Sequence, residues 1–343
     1  MSADMHPVTL RDVARLAGVS TATVSRVLND SDKVGATTRE RVRLAVETLG
    51  YTPHFGGRML AAGRSNIIGA VIPTMANAIF SGGLQAFEEG IGPAGKTLLV
   101  ASTDYDPYRE LAQIRSLVSR GAEGLLLIGA YRLPETWAFL ERSRIPHVIT
   151  WSHRVPQDIS YVGFDNRRAA RDLTQAVLAL GHRRLAVISG IANYNDRVRE
   201  RMAGIHEAVA GHPGCHILRI IETRYDPAAG AEGFREIMAG SMRPTAVICG
   251  NDVLAAGAIL AARQMNISVP EQVSITGFDD IELASLLYPA LTTVRVPQFE
   301  MGREAAGLLL NLVAGQGRCQ RMLLPTEIVH RASLVPPSDH TPD

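Results

Sequence analysis

From residue 67 onward the chain alternates between short apolar, β-branched runs and stretches long enough for helices. The runs are IIGAVIP (67–73), TLLVAST (97–103), GLLLIG (124–129), PHVITW (146–151) and YVGFD (161–165). After a helical segment ending in GHRR come LAVISG (185–190), HILRIIET (216–223), AVICGND (246–252) and VSITGFDD (273–280). Strands that are apolar on both faces and joined by helical crossovers make parallel sheets covered on both sides. The runs suffice for two sheets of four to six strands. LTTVRVP near residue 294 and MLLPTEIVHR near 328 read as returning segments. The expected body is α/β, with two parallel-sheet lobes facing a cleft.

The first 50 residues follow another rule. TLRDVARLAGVSTATVSRVLN (9–29) has helical periodicity and divides at Gly18 into two short amphipathic segments. Thr9 caps the first, with Asp12 as its capping-box partner, and Gly18 suits the left-handed turn that follows. Ser20 caps a second helix over about 21–28. Val42, Val46 and Leu49 mark a third that ends at Gly50. Two capped helices around a glycine turn form a helix-turn-helix candidate. With Val24, Val27 and Leu28 inward, Ala22, Arg26 and Asn29 share the outer face, flanked by Thr21 and Ser25. Those side chains can bond base edges and phosphates; an ordinary helical hairpin with a solvated polar face is the alternative.

Composition limits the remaining classes. The chain has 343 residues, 46% of them apolar, enough for two or three domains. Its net charge of +1 is split as +2 over residues 1–60 and −1 beyond, which permits a polyanionic partner at the N-terminus without requiring one. No run of 18 apolar residues indicates a membrane span, and MSADMHPVTL lacks the pattern of a signal peptide. Cys215, Cys249 and Cys319 are odd in number and widely spaced, as in a reducing cytoplasm. HPGCH (212–216) lies in a Gly/Pro turn with no second cluster, so no metal is expected. No GxSxG elbow, P-loop, HExxH or GxGxxG after the first strand occurs, so neither a cofactor nor an enzyme is expected.

In an α/β body of two lobes, ligands bind beyond the carboxyl ends of the strands. Three polar pairs stand there: Asp165–Asn166, Asn251–Asp252 and Asp279–Asp280. For the first two, helix N-capping is the competing role.

TLRDVARLAGVSTATVSRVLN, with TRERV (38–42) and LGYTP (49–53), resembles the N-terminal signature of the LacI/GalR repressor family, and the similarity extends over nearly the whole chain. The resemblance implies a homodimeric transcription regulator, most often a repressor of carbohydrate or sugar-acid genes, acting on palindromic operator DNA. It implies a small all-α helix-turn-helix headpiece (1–53), a hinge (54–65) and a body (66–343) of the type I periplasmic-binding-protein kind. Lobe 1 is expected at about 66–163 and 296–325, lobe 2 at about 164–295 and 326–335. By resemblance, Thr21 and Ala22 hold the two specificity positions. Arg26 and Asn29 match further DNA contacts, and Thr9, Ser20 and Ser25 match phosphate contacts.

For the effector, RMAG (201–204) matches a motif whose Arg anchors the ligand, which points to Arg201. GND (250–252) and GFDD (277–280) place Asn251 and Asp279 in the pocket, and YDP (225–227) adds Tyr225. NAIF (77–80) resembles an N-P-F-F pattern and brings Phe80 forward, although Ala78 replaces the Pro. Where the family often has an Asp, five residues beyond the Pro of IP (145–146), this chain has Trp151: a sugar platform or a core side chain. Asp165 completes the candidate set. Arg197, Arg199 and Arg201 crowd one segment and would suit a sugar acid or phosphate, with solvated surface arginines as the alternative. A solute-binding module for transport shares this body fold and is the second reading, against which the headpiece argues. PPSDHTPD (336–343) carries no apolar heptad for a tetramerising zipper.

The hinge, HFGGRMLAAGRS (54–65), departs from the family pattern: Gly57 replaces the usual Ala, Gly56 stands beside it and His54 replaces a common Asn. By resemblance this segment becomes helical on operator DNA, with Leu60 wedged into the minor groove and Arg58 and Arg64 near phosphates. Each Gly costs a helix about 1 kcal/mol relative to Ala, in a segment too short to be stable alone. Replacing Gly56 and Gly57 together with Ala is expected to tighten operator binding in a fluorescence-anisotropy titration. Unchanged or weaker affinity would contradict a hinge that folds on DNA.

Overall fold

A computed structural model describes residues 8–28, 34–52, 64–76 and 78–338. Asn29, Arg58 and Leu60, with most of the hinge, lie outside the described residues. The chain divides into two compact units, residues 1–66 and 67–343.

In the first unit, α1 (Leu10–Ala17), α2 (Thr21–Leu28) and α3 (Ala36–Leu49) enclose Val13, Ala14, Ala17, Val24, Val42, Ala45 and Tyr51. Small residues at Ala14 and Ala17 let the short helices cross closely. The Asp12 carboxylate accepts from the Thr9 amide (3.0 Å) and hydroxyl (2.6 Å), and the Thr23 amide donates to Ser20 Oγ (3.1 Å). Both caps thus fall where sequence placed them. Gly18 adopts φ +63°, the left-handed turn between the helices. Arg41 Nε donates to the Ala17 carbonyl at 3.1 Å, tying α3 to that turn.

In the second unit, β1 (Ile67–Ile72), α4 (Ala78–Ile91), β2 (Thr97–Ser102), α5 (Pro107–Ser119), β3 (Ala122–Ile128), α6 (Pro134–Ser143), β4 (His147–Thr150) and β5 (Tyr161–Gly163) build lobe 1. The chain crosses to lobe 2 with α7 (Asn166–Ala179), β6 (Arg184–Gly190), α8 (Asp196–Ala210), β7 (His216–Thr223), α9 (Pro227–Met238), β8 (Ala246–Cys249), α10 (Asp252–Gln264), β9 (Ser274–Thr276) and α11 (Glu282–Leu286). After β10 (Thr293–Arg295) it returns through α12 (Gln298–Val313) and β11 (Arg321–Leu323) to lobe 1, then ends beyond β12 (Glu327–Val329). The lobe 1 sheet is parallel throughout, in the order β11-β5-β4-β3-β1-β2. Lobe 2 has β7-β6-β8-β9, also parallel, beside an antiparallel β10–β12 pair. This is the predicted α/β class with two parallel-sheet lobes.

Parallel strands need helices on both faces, so the inner strands β1 and β8 are fully buried, and so is β9 at the end of the lobe 2 sheet. The edge strands β2 and β7 alternate between half-buried and exposed. On lobe 1, α4 and α12 approach so closely that a Cβ on Gly302 would collide with the Gly83 carbonyl. The C-terminal segment is fastened to lobe 2: Ser333 Oγ donates to the Ile275 carbonyl (2.6 Å) and accepts from the Thr292 amide (2.8 Å). Three crossings join the lobes, which aligns the strand ends of both on one cleft.

Candidate functional site

On α2 the side chains of Thr21, Ala22 and Arg26 are exposed and Ser25 is half-buried, while Val24 is sealed in the core. Arg26 has no ion pair among the described residues. This leaves a short, uncompensated polar face with one guanidinium, of a size that fits a major groove. Thr9 and Ser20 sit at the N-termini of α1 and α2 as caps, where exposed amides favour anions such as phosphates.

The second constellation lies between the lobes. A narrow cavity of about 20 Å³ is walled on lobe 1 by Ile79 and Phe80 at the start of α4, Tyr105 after β2 and Trp151 after β4. Lobe 2 supplies Asn195, Arg197 and Arg201 from the first turns of α8, Tyr225 after β7, Asn251 after β8 and Asp279 after β9. It adjoins a vestibule of about 610 Å³ and shares Tyr105, Asn195 and Tyr225 with it. Six of the seven expected effector residues therefore converge: Phe80, Trp151, Arg201, Tyr225, Asn251 and Asp279.

Arg201 is at the centre. Its Nε donates to Asn166 Oδ1 (2.9 Å), Nη1 to the Gly250 carbonyl (2.7 Å) and Nη2 to Asp279 Oδ1 (3.4 Å). The guanidinium carbon lies 3.7 Å from the centroid of the Phe278 ring. Such a buried charge is tolerable only because hydrogen bonds and an ion pair replace its water. Trp151 is 1% exposed, with its indole edge-on to Phe80 (centroids 5.5 Å, 70°). It serves as core and as cavity wall together. Asn251 also has two uses: Oδ1 caps α10 through the Leu254 amide (2.9 Å), while Nδ2 is buried without a hydrogen-bond partner among the described residues.

Asp165, the seventh, lies elsewhere. It is absent from the cavity wall, and its Oδ1 accepts from the Arg168 amide (2.9 Å) as the N-cap of α7. The residue before a helix turns its side chain back onto the free amides of the first turn. Its neighbour Asn166 faces inward instead, bonding Arg201 and donating from Nδ2 to the Trp151 carbonyl (2.9 Å). Tyr105, Asn195 and Ile79 were not singled out from sequence. Tyr105 follows TLLVAST, so the strand-end rule that selected Asp279 would have found it.

Two hydrogen bonds cross the cleft near this wall: Asn166 to Trp151, and the Ala130 amide to Asp196 Oδ2 (2.9 Å). Tyrosine pairs also span it, Tyr105–Tyr225 at 5.9 Å and Tyr131–Tyr194 at 5.5 Å. Among the described residues no group of three His, Cys, Asp or Glu could hold a metal ion, and no helix is long and apolar enough to cross a membrane.

The carboxyls behind the wall are perturbed. Burial pushes Asp279 up to about 6, opposed by Arg201. Burial, with the charge of Asp279 adding, pushes Asp252 up to about 8. Asp252 accepts from Thr293 Oγ1 (2.5 Å) and from the Ile281 amide (2.8 Å), an arrangement an asparagine can mimic. A raised carboxyl pKa means the folded state binds the proton more tightly than the unfolded chain does. Its stabilisation is complete near pH 4 and is lost as pH rises toward 8. From pH 6 to 8 the wild type should therefore lose stability relative to Asp252→Asn, by at most about 1.4 kcal/mol per pH unit. Urea unfolding of both proteins across that range checks this; parallel pH profiles would refute it.

Comparison with known proteins bears on both constellations. Residues 9–54 match the model described as "Bacterial regulatory proteins, lacI family", and residues 174–334 match "Periplasmic binding protein-like domain". The transcriptional repressor CytR of Escherichia coli K12 is 32% identical over 338 residues, covering 95% of this chain and 96% of that protein. Among solved structures, a LacI-family regulator from Silicibacter pomeroyi superposes with TM-score 0.88 at 30% identity, covering 96% of this chain and all of that one. The lac repressor dimer, bound to operator and the anti-inducer ONPF, superposes with TM-score 0.82 at 27% identity and the same coverage. Both matches fall on one chain, which belongs to the LacI family of DNA-binding transcriptional regulators.

Proposed function

We propose that this regulator is a cytoplasmic repressor of carbohydrate or sugar-acid metabolism genes, and that a sugar-like effector bound between the lobes controls its affinity for a palindromic operator. The observation that carries this reading is the cavity itself. Residues from both lobes wall it, at the carboxyl ends of their strands, with hydrogen-bonding side chains set against aromatic faces. A ligand held there bears on Asn166–Trp151 and Asp196–Ala130, two of the hydrogen bonds that join one lobe to the other. Differential binding to two lobe arrangements is what coupling to a distant DNA site requires.

At the DNA, Thr21 and Ala22 read base edges, with Arg26 and Asn29 beside them. Thr9, Ser20 and Ser25 hold phosphates, and the hinge contributes Leu60 and Arg58. Two copies are needed for a palindrome, since a two-fold protein matches two half-sites. The lac repressor structure, a dimer on its operator, supports that assembly. The headpiece match speaks against a transport solute-binding module, and relatives that are regulators speak against an enzyme.

The test starts from operator sites selected by the purified full-length protein from random DNA, with effectors then screened by their effect on operator anisotropy. Arg201→Ala is expected to bind the selected site but to ignore effector up to at least a hundredfold excess over the wild-type midpoint. An Arg201→Ala protein that responds normally would remove Arg201 from the effector site.

A further inference from the structure

Arg197 stands one helical turn before Arg201 on the same face of α8, and its environment is different. It is 8% exposed, as buried as Arg201, and lines the same cavity. Arg201 has spent its three nitrogens on Asn166, Gly250 and Asp279. Arg197 makes one hydrogen bond to a described residue, from Nη1 to Asp196 Oδ1 at 3.4 Å, the long end of the range. The other oxygen of Asp196 is engaged by the Ala130 amide. A guanidinium has five N–H donors in a planar fork, and most of those of Arg197 are left for other partners.

The rest of the wall points the same way. Two guanidiniums face it, Arg197 in a long ion pair with Asp196 (3.4 Å) and Arg201 in one with Asp279 (3.4 Å). Asn251 Nδ2, another buried donor, is also without a partner among the described residues. The cavity thus presents unmet donors, part of them on a guanidinium, a surface that complements acceptor oxygens and best those bearing negative charge. Position adds to this: a Cβ on Gly129 of lobe 1 would collide with Arg197 Nη1, so this lobe 2 side chain lies against bare lobe 1 backbone.

From these contacts we infer that the effector carries an anionic group, a carboxylate or a phosphate, and that Arg197 is the residue that selects it. The inference rests on the reading of this cavity as the effector site. Arg201 orders the wall, and Arg197 offers its fork to the ligand's anion. An anion bound there also fixes Arg197 against Gly129, so its charge is read in the closed arrangement of the lobes.

The full-length protein is titrated with D-gluconate and D-galacturonate, with D-glucose 6-phosphate, and with the neutral sugars D-glucose and D-galactose, all at constant ionic strength. Binding is read by calorimetry and by thermal shift, since a ligand of the native state raises the melting temperature. The wild type should prefer at least one anion over its neutral counterpart by tenfold or more. The carboxylate and phosphate arms decide which anion it is. Arg197→Gln should abolish that margin, and Arg197→Lys, which keeps the charge without the fork, should retain part of it. If Arg197→Gln lacks a cooperative melt, the Lys variant decides: its margin must fall below that of the wild type. The proposal is overturned if no anion is preferred over its neutral counterpart, or if the preference survives these substitutions. Operator binding by the ligand-free wild type is measured separately. Its failure would strike the regulator reading and leave the anion preference standing; the converse holds equally.

Discussion

The buried guanidinium of Arg201 organises the body of this protein. Through one side chain it holds the start of α7 (Asn166), the loop after β8 (Gly250) and the loop after β9 (Asp279), and it lies flat on Phe278. These segments come from distant parts of the sequence and meet only because parallel strands end on the same side of a sheet. Asn166 passes the constraint on to Trp151 in lobe 1. A charge in that position is costly, and its cost is met only when all its partners are in place. Arg201 thus makes the cavity wall a defined geometry rather than a set of independent loops.

The cleft also holds unusual backbone. Asp104, Tyr105, Trp151, Tyr194, Asp279 and Asp280 all have positive φ, a region that non-glycine residues rarely occupy. Tyr105, Trp151 and Asp279 line the inner cavity, and Asp104 and Tyr194 line the vestibule. Such conformations cost on the order of 1–3 kcal/mol each and persist where surrounding contacts over-determine them. Their concentration on both sides of the cleft agrees with a site built to hold side chains in place for a ligand. Asp252, in turn, joins the loop after β9 to β10 through Ile281 and Thr293, so the carboxyls behind the wall serve the frame as well as the site.

Much of this was legible in the sequence. Each strand of the two main sheets begins or ends within two residues of an apolar run or returning segment read from the sequence, most plainly the inner strands, which are buried on both faces and so apolar throughout. The two headpiece caps and the Gly18 turn were legible for local reasons, since capping depends on residues three apart. Strand-end position does not tell a cap from an inward-facing residue: Asp165 caps α7, and Asn166, one step along the chain, takes the inward place. Arg197 could be seen in sequence only as one of three crowded arginines. That it is buried while Arg199 is exposed follows from helical spacing, which places 197 and 201 on one face. Which of the two has donors to spare depends on long-range partners, and no local pattern records those.

With this cavity as the effector site, its occupancy is expected to set affinity for DNA. Trp151 on its wall and Trp137 on α6 are the two tryptophans of the chain, so Trp137→Phe leaves one reporter inside the site. With that variant on fluorescently labelled operator, Trp151 emission and operator anisotropy can be followed in one titration with the ligand that stabilises the protein. The account predicts that both signals change with a common midpoint. A change in operator binding without a change at Trp151, or midpoints that are clearly separated, would contradict it.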